Sequence, residues 1–204
     1  MDQPKERGNS PWGTIQDVTE LAEGLWSVST ASHGGIKCSK KRNAQIPDYM
    51  RRAGGWYEED CEWSIPFVVF EGDILEFSNA DATRAIIAQE HRATFRAWFP
   101  DHYERRYEVT LAPGQSYIKD ARAWKANHIE DLQSVSAFGS GHNGVPPGYV
   151  GLIVYKGGRT ANGHFPSSPE RYFLVLQEEY HAESPAYASF LIDPSRHQEV
   201  EKFY

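Results

Sequence analysis

The sequence predicts an α+β domain in which an antiparallel or mixed β-sheet carries two main helices on one face. Three observations predict it. Short runs that alternate large apolar with small polar residues, such as 25–30, read as strands. The middle of the chain places apolar residues at helical spacing up to Pro100. The last third returns to strand-like runs separated by Gly, Pro and Asn clusters, and such short connections imply antiparallel pairing.

Residues 1–13 are rich in Lys, Glu, Asn, Gly and Pro and bury little, so they are expected as a mobile lead-in to a single domain over 14–204. Leu25-Trp26-Ser27-Val28-Ser29-Thr30 reads as a strand, Gly34-Gly35 breaks it, and Ile36-Lys37-Cys38 returns as its hairpin partner. Ser39 is expected to cap a helix over 40–45 that Pro47 and Gly54-Gly55 keep short. The β-branched and aromatic run Ile65 to Phe70 reads as a buried strand. Asn79 or Asp81 caps the first main helix, with Ile86, Ile87, Phe95, Trp98 and Phe99 on one core stripe. The second main helix is expected from Pro113-Gly114 to about Asn127, with Tyr117, Ala121 and Trp124 on one face. Strands follow at 134–138, 149–155, 172–176 and 187–192.

Acidic residues outnumber basic ones by 28 to 21, a formal net charge of -7. That balance argues against broad nucleic-acid binding, though it leaves room for a local basic patch. The polar start contains no apolar run, and no segment approaches the roughly 20 apolar residues a membrane span needs, so a soluble, cytoplasmic chain is expected. Cys38 and Cys61 show no CxxC spacing, which fits a reducing compartment and disfavours zinc, while a disulfide between them stays open. No GxSxG elbow, Walker loop or HExxH helix occurs.

The richest chemistry sits in Ser32-His33-Gly34-Gly35 and Trp56-Tyr57-Glu58-Glu59-Asp60-Cys61-Glu62-Trp63. An imidazole moves protons near neutral pH, and two following glycines let a ligand or a backbone approach it. The same glycines serve equally a turn in which Ser32 and His33 only bond locally. Four carboxylates in five positions repel one another, which favours a raised pKa and a general acid. If helical, Glu58 and Glu62 share a face. The plainer alternative is a solvated face paired with Lys37, Lys40, Lys41, Arg42, Arg51 and Arg52. Trp56 and Trp63 lie seven residues apart, two helical turns, and form either a ligand wall or core. Cys61 reads as a packed thiol, because its acidic neighbours disfavour a thiolate. His142, in a glycine-rich loop, is a candidate to join His33, and Lys156-Gly157-Gly158-Arg159 reads as a basic hairpin tip.

Together with Ser29-Thr30-Ala31-Ser32-His33-Gly34-Gly35, the phrases Gly55-Trp56-Tyr57-Glu58-Glu59-Asp60-Cys61-Glu62-Trp63 and Gly144-Val145-Pro146-Pro147-Gly148-Tyr149-Val150-Gly151 resemble those of a domain family of unknown function carried by bacteriophages and conjugative plasmids. The resemblance runs over most of the chain from Pro11 and carries over no catalytic residues. It implies an accessory protein that acts on the host cell or its defences. The leading expectation is therefore a protein that binds and modulates a host protein, a counter-defence factor of the anti-CRISPR or anti-restriction type, through the surface from Trp56 to Trp63. The rival is a small enzyme in which His33 works with Glu59 or Asp60 on a nucleotide-like or other small substrate, with Ser32, Gly34, Gly35, Tyr57, Glu58, Glu62 and His142 around it. His33, Tyr57 and Glu170 also loosely resemble the arrangement in ADP-ribosyl transferases. No cofactor, metal or oligomeric state is assigned. Both expectations require His33 and the carboxylates to meet at one recess.

Overall fold

The computed structural model describes residues 3–77, 81–160, 162–184 and 188–203, with the backbone alone over 81–89. It is an α+β protein whose described strands pair antiparallel throughout. Packing divides the chain, kept whole over 14–204 by the sequence reading, into two compact units, Met1–Ser116 and Tyr117–Tyr204.

In the first unit the lead-in holds a small hairpin of β1 (Asn9–Ser10) and β2 (Gly13–Thr14). A four-stranded meander follows in sequence order: β3 (Asp17–Ala22), β4 (Leu25–Ser29), β5 (Gly34–Cys38) and β6 (Trp56–Glu58). The register Leu25↔Cys38 to Ser29↔Gly34 forms the expected hairpin. Alternation sorts its side chains. Leu25, Ile36, Cys38 and Tyr57 enter the main core, while Trp26 and Val28 join Ile15 on the opposite face.

Between β5 and β6, α1 (Lys40–Gln45) starts as expected, with Ser39 Oγ accepting from the Arg42 N–H at 3.2 Å. The chain then turns through Gly54, which adopts the left-handed conformation at φ 70°. The expected strand Ile65 to Phe70 is instead helix α2 (Ser64–Val69). Residues 64–68 are all buried, so the run lacks any polar position to reveal its period, and Pro66 falls in the first turn, where its missing N–H costs nothing. Helices α3 (Glu71–Phe77), α4 (Asp81–Trp98) and α5 (Pro100–Tyr107) complete the unit.

Along α4 the core stripe runs through buried His91 and Phe95 to half-buried Phe99, one step of four each time. Trp98 falls off it and is 46 % exposed, against expectation. Asn79 lies outside the described residues, and Ile86 and Ile87 outside the described side chains.

The second unit opens with α6 (Tyr117–Asn127), three residues later than expected and with no fully buried side chain. Strands β7 (Leu132–Phe138), β8 (Tyr149–Lys156) and β9 (Arg171–Leu176) match the expected runs, followed by α7 (Gln177–Glu183), β10 (Leu191–Ile192) and β11 (Gln198–Val200). The sheet order is β10-β7-β8-β9-β11. Of the expected strand at 187–192, only the last two residues pair, and Tyr187 lies outside the described residues. Both faces of this sheet are covered, one around Leu152 and Phe173 and the other around Ile153 and Phe203. Among the described residues, no helix is long and apolar enough to cross a membrane.

Candidate functional site

His33 stands on the turn that joins β4 to β5. Its carbonyl accepts from the Thr30 N–H at 2.7 Å and the Thr30 hydroxyl at 2.8 Å, and its own N–H reaches Thr30 Oγ1 at 3.2 Å. The loop is therefore closed on itself while the imidazole stays 57 % exposed. Strand pairing brings the acidic run to it: Gly35 lies opposite Glu58, so the turn after β6 sits beside the His33 turn. Glu59 Oε1 reaches to 3.5 Å from His33 Nδ1. Gly34 makes that approach feasible, because a Cβ there would stand 2.7 Å from Glu59 Oε2.

The four carboxylates separate by role. The Glu58 carboxylate accepts from the Asp60 N–H at 2.9 Å to each oxygen, which folds the turn. Glu62 pairs with Arg52 at 2.6 Å and accepts from the Glu58 N–H at 3.4 Å, so it is withdrawn from His33. Asp60 is exposed and stays outside the converging group. One ligand atom each of His33, Glu58 and Glu59 lies within 4.8 Å of the others, and one imidazole with two carboxylates is a donor set that suits Zn²⁺ or the harder Mn²⁺. Beside them opens a hollow of about 260 Å³, floored by Val28, Gly34 and Gly35 and walled by Glu59, Trp63 and Phe67.

The residues from Trp56 to Trp63 do not form a helix; they are a strand followed by the Glu58–Asp60 turn. The two indoles consequently part. Trp63 meets Phe67 edge-on at 5.1 Å beside the hollow, whereas Trp56 points to the other sheet face, against Trp12 at 5.6 Å and under Lys37 Nζ at 5.0 Å. Tyr57, expected at the site, is fully buried and ties the core: its hydroxyl donates to Asn43 Oδ1 at 2.7 Å and accepts from the Arg52 N–H at 3.2 Å. Burial pushes that phenol up to about 12. Ser32 is exposed on the His33 turn. The expected cation face is also divided, since Arg52 joins Glu62 but Arg42 pairs with Asp73 and Arg51 with Asp48.

Both cysteines are free. Burial, followed by the charges of Glu58, Glu62 and Asp60, raises the Cys61 thiol, as a packed thiol beside carboxylates should behave. Cys38 is pushed up to about 12, by burial above all. His142 belongs to the second unit, where Nδ1 lies 2.9 Å from the Asn143 carbonyl and the ring packs on Phe138. Glu170, in that unit too, accepts from the Tyr155 and Tyr172 hydroxyls, and Tyr57, in the first unit, is buried. The sequence reading missed Thr30 and Phe67. Thr30, three residues before His33, carried a turn-forming signal; Phe67 was hidden by the strand assignment.

Comparison with known proteins gave no match among curated proteins and none among solved structures. A family profile matches residues 5–129, from the lead-in through α6, so it includes His33 and the whole acidic run but not Gly144–Gly151 or His142. That span exceeds half of the chain, and the protein belongs to the family described as Domain of unknown function (DUF7007).

Proposed function

We propose that the His33 corner is the working centre of a small enzyme that moves a proton on a small polar molecule held in the adjoining hollow. The approach of Glu59 to His33 Nδ1, made possible by Gly34, is the observation that carries this reading. Glu59 orients the imidazole, His33 gives or takes the proton, and the backbone of Gly34 and Gly35 admits the ligand. A divalent ion held by His33, Glu58 and Glu59 would replace this proton exchange, since a ligated imidazole no longer gives or takes the proton, and would polarise the ligand's water instead. The substrate need not be known to test this. Purified protein is incubated with a bacterial metabolite extract, with and without Mn²⁺, beside the His33→Ala variant, and the extracts are compared by mass spectrometry. A metabolite consumed by the parent and spared by the variant supports the reading; indistinguishable extracts overturn it.

A second reading has its own support. Glu59 and Asp60 stand exposed at the tip of the turn, with half-buried Glu58 behind them, a compact acidic knob suited to a basic partner surface. On that reading the chain is an accessory protein of a phage or plasmid that acts in the host cytoplasm by docking the knob on a host protein, a counter-defence factor. Pull-down from a bacterial lysate with a Glu59→Lys, Asp60→Lys variant tests it, and an unchanged set of captured proteins counts against it.

A further inference from the structure

The turn after β8, expected from the sequence as a basic hairpin tip, is folded down beside β7. Gly157 and Gly158 both adopt the left-handed conformation, at φ 73° and 63°, and a Cβ on Gly158 would stand 2.4 Å from Gln133 Oε1. So close an approach requires glycine. Gln133 is itself buried and fixed, its Nε2 donating to the His128 carbonyl at 2.6 Å. The turn thereby delivers Arg159 to the side of β7, where its guanidinium donates to the Val135 carbonyl at 3.3 Å and the Gly163 carbonyl at 3.1 Å and lies 4.4 Å from the centre of the Phe165 ring. From α6, Lys125 Nζ donates to the Arg159 carbonyl, which ties the helix to the turn.

Between these elements opens a cavity of about 400 Å³, lined by Lys125, Arg159, Trp124, Ser134 and Ser189 among others, and among the described residues its lining contains no carboxylate. The carbonyl contacts hold both cations in place without cancelling their charge. A guanidinium has five N–H donors and an ammonium three, so the two carbonyls met by Arg159 and the one met by Lys125 leave most of them for a ligand. Ser134 Oγ accepts from the Phe190 N–H at 3.1 Å and keeps its own hydrogen to donate. Converging donors and two positive charges suit an oxyanion. A phosphate monoester, close to a dianion at pH 7, matches that charge, whereas a carboxylate leaves one cation unmatched. The volume falls in the roughly 300–1,000 Å³ range of small-molecule sites and exceeds what a phosphate group alone fills. Ala121 and Trp124, the latter braced by the His128 ring at 4.6 Å, offer carbon surface to an organic remainder.

We propose that this cavity binds the phosphate monoester of a small molecule, with the phosphate held by Lys125 and Arg159 and the organic part beside Ala121 and Trp124. Its residues all belong to the second unit, so the site does not rest on the His33 corner. The test is calorimetric titration of the full chain at low salt with phenyl phosphate, with inorganic phosphate and benzoate as partial probes. Expected are one saturable site for phenyl phosphate and weaker binding of each partial probe. Lys125→Gln and Arg159→Gln should each lower phenyl phosphate affinity by about tenfold or more, with melting curves confirming that both variants fold. Lys41→Gln, which removes the same charge from the first unit, should leave it unchanged. Undiminished binding by either cavity variant overturns the site, and so does an equal loss in Lys41→Gln, which would mark unspecific attraction. Benzoate binding as tightly as phenyl phosphate overturns the phosphate assignment, inorganic phosphate doing so overturns the organic contact, and failure to saturate by about 10 mM overturns the proposal as a whole.

Discussion

The His33 corner and the start of α1 lie at the two ends of the same strand, β5, and they collect opposite charge. Gly34 at one end packs under Glu59, and Lys37 with the following helix start supplies cations at the other. Three residues of strand, about 10 Å, separate Gly34 from Lys37, comparable with the screening length of roughly 8–10 Å at physiological salt, so the two ends are only partly screened from each other. The plainer alternative paired the carboxylates with the basic residues that precede them; Arg52 does join Glu62, but Arg42 and Arg51 are engaged by Asp73 and Asp48.

The largest expected effect comes from the glycine that both ends depend on. A Cβ at Gly35 would stand 2.2 Å from the Tyr57 carbonyl oxygen and 2.4 Å from Trp12, so Gly35→Ala must part β5 from β6 and should cost about 3 kcal/mol in urea unfolding. Gly34→Ala acts nearer the corner. Its Cβ pushes Glu59 off His33 and, 2.9 Å from the Val28 carbonyl oxygen, also strains the β4–β5 pairing, so it should lower both the melting temperature and any Mn²⁺ affinity measured for the parent; an unchanged affinity would show that Gly34 does not set the approach of Glu59.

Arg52→Ala comes next. Removing the half-buried partner of Glu62 should cost about 1–2 kcal/mol by denaturant titration and return a further carboxylate to the acidic end.

The two thiols report the two ends. Cys61 is raised by burial and by Glu58, Glu62 and Asp60, so iodoacetamide should label it slowly at pH 7 and faster as pH rises. Neutralising those acids together by Glu58→Gln, Asp60→Asn and Glu62→Gln should speed labelling severalfold at pH 7, whereas Cys38, held near 12, should stay unlabelled until the protein unfolds. Equal rates before and after neutralisation would show that burial alone governs Cys61.

The smallest effect is on stability against pH. Burial, helped by Arg52 and Arg105, lowers His102 from its ordinary 6.5, opposed by Asp101. As pH falls through 6.5 the unfolded chain takes up this proton first, so stability declines until folded His102 also protonates. His102→Gln should flatten that decline in melting temperature without altering either end of β5.

What could be read in the sequence follows the range of the interaction concerned. The Ser39 cap and the β4–β5 hairpin rest on neighbours within a few residues and were legible. The meeting of His33 with the acidic run was required by both expectations but was not legible, because the third strand, β6, that brings the two turns together had been given a helical reading. Which carboxylate faces the imidazole was not legible, because it depends on the pairing of Gly35 with Glu58 and on the Asp60 N–H folding the turn back. The same turn explains the contact between Glu58 and Glu62: their spacing suggested helix neighbours, and they do touch, through a backbone N–H across a bend. Ile65 to Phe70 gave no period to read because α2 is enclosed along almost its whole length.

The meander has a consequence for how the protein is made. Each strand of the first sheet pairs with its nearest neighbour in sequence, and every wall of the His33 hollow lies between Ser27 and Phe67. Contacts of such short range close quickly, and chains emerging from a ribosome fold their leading portions first. The hollow can thus assemble while the second sheet is still being translated, so a release of the nascent chain after the first unit would already deliver the His33 corner to the cell.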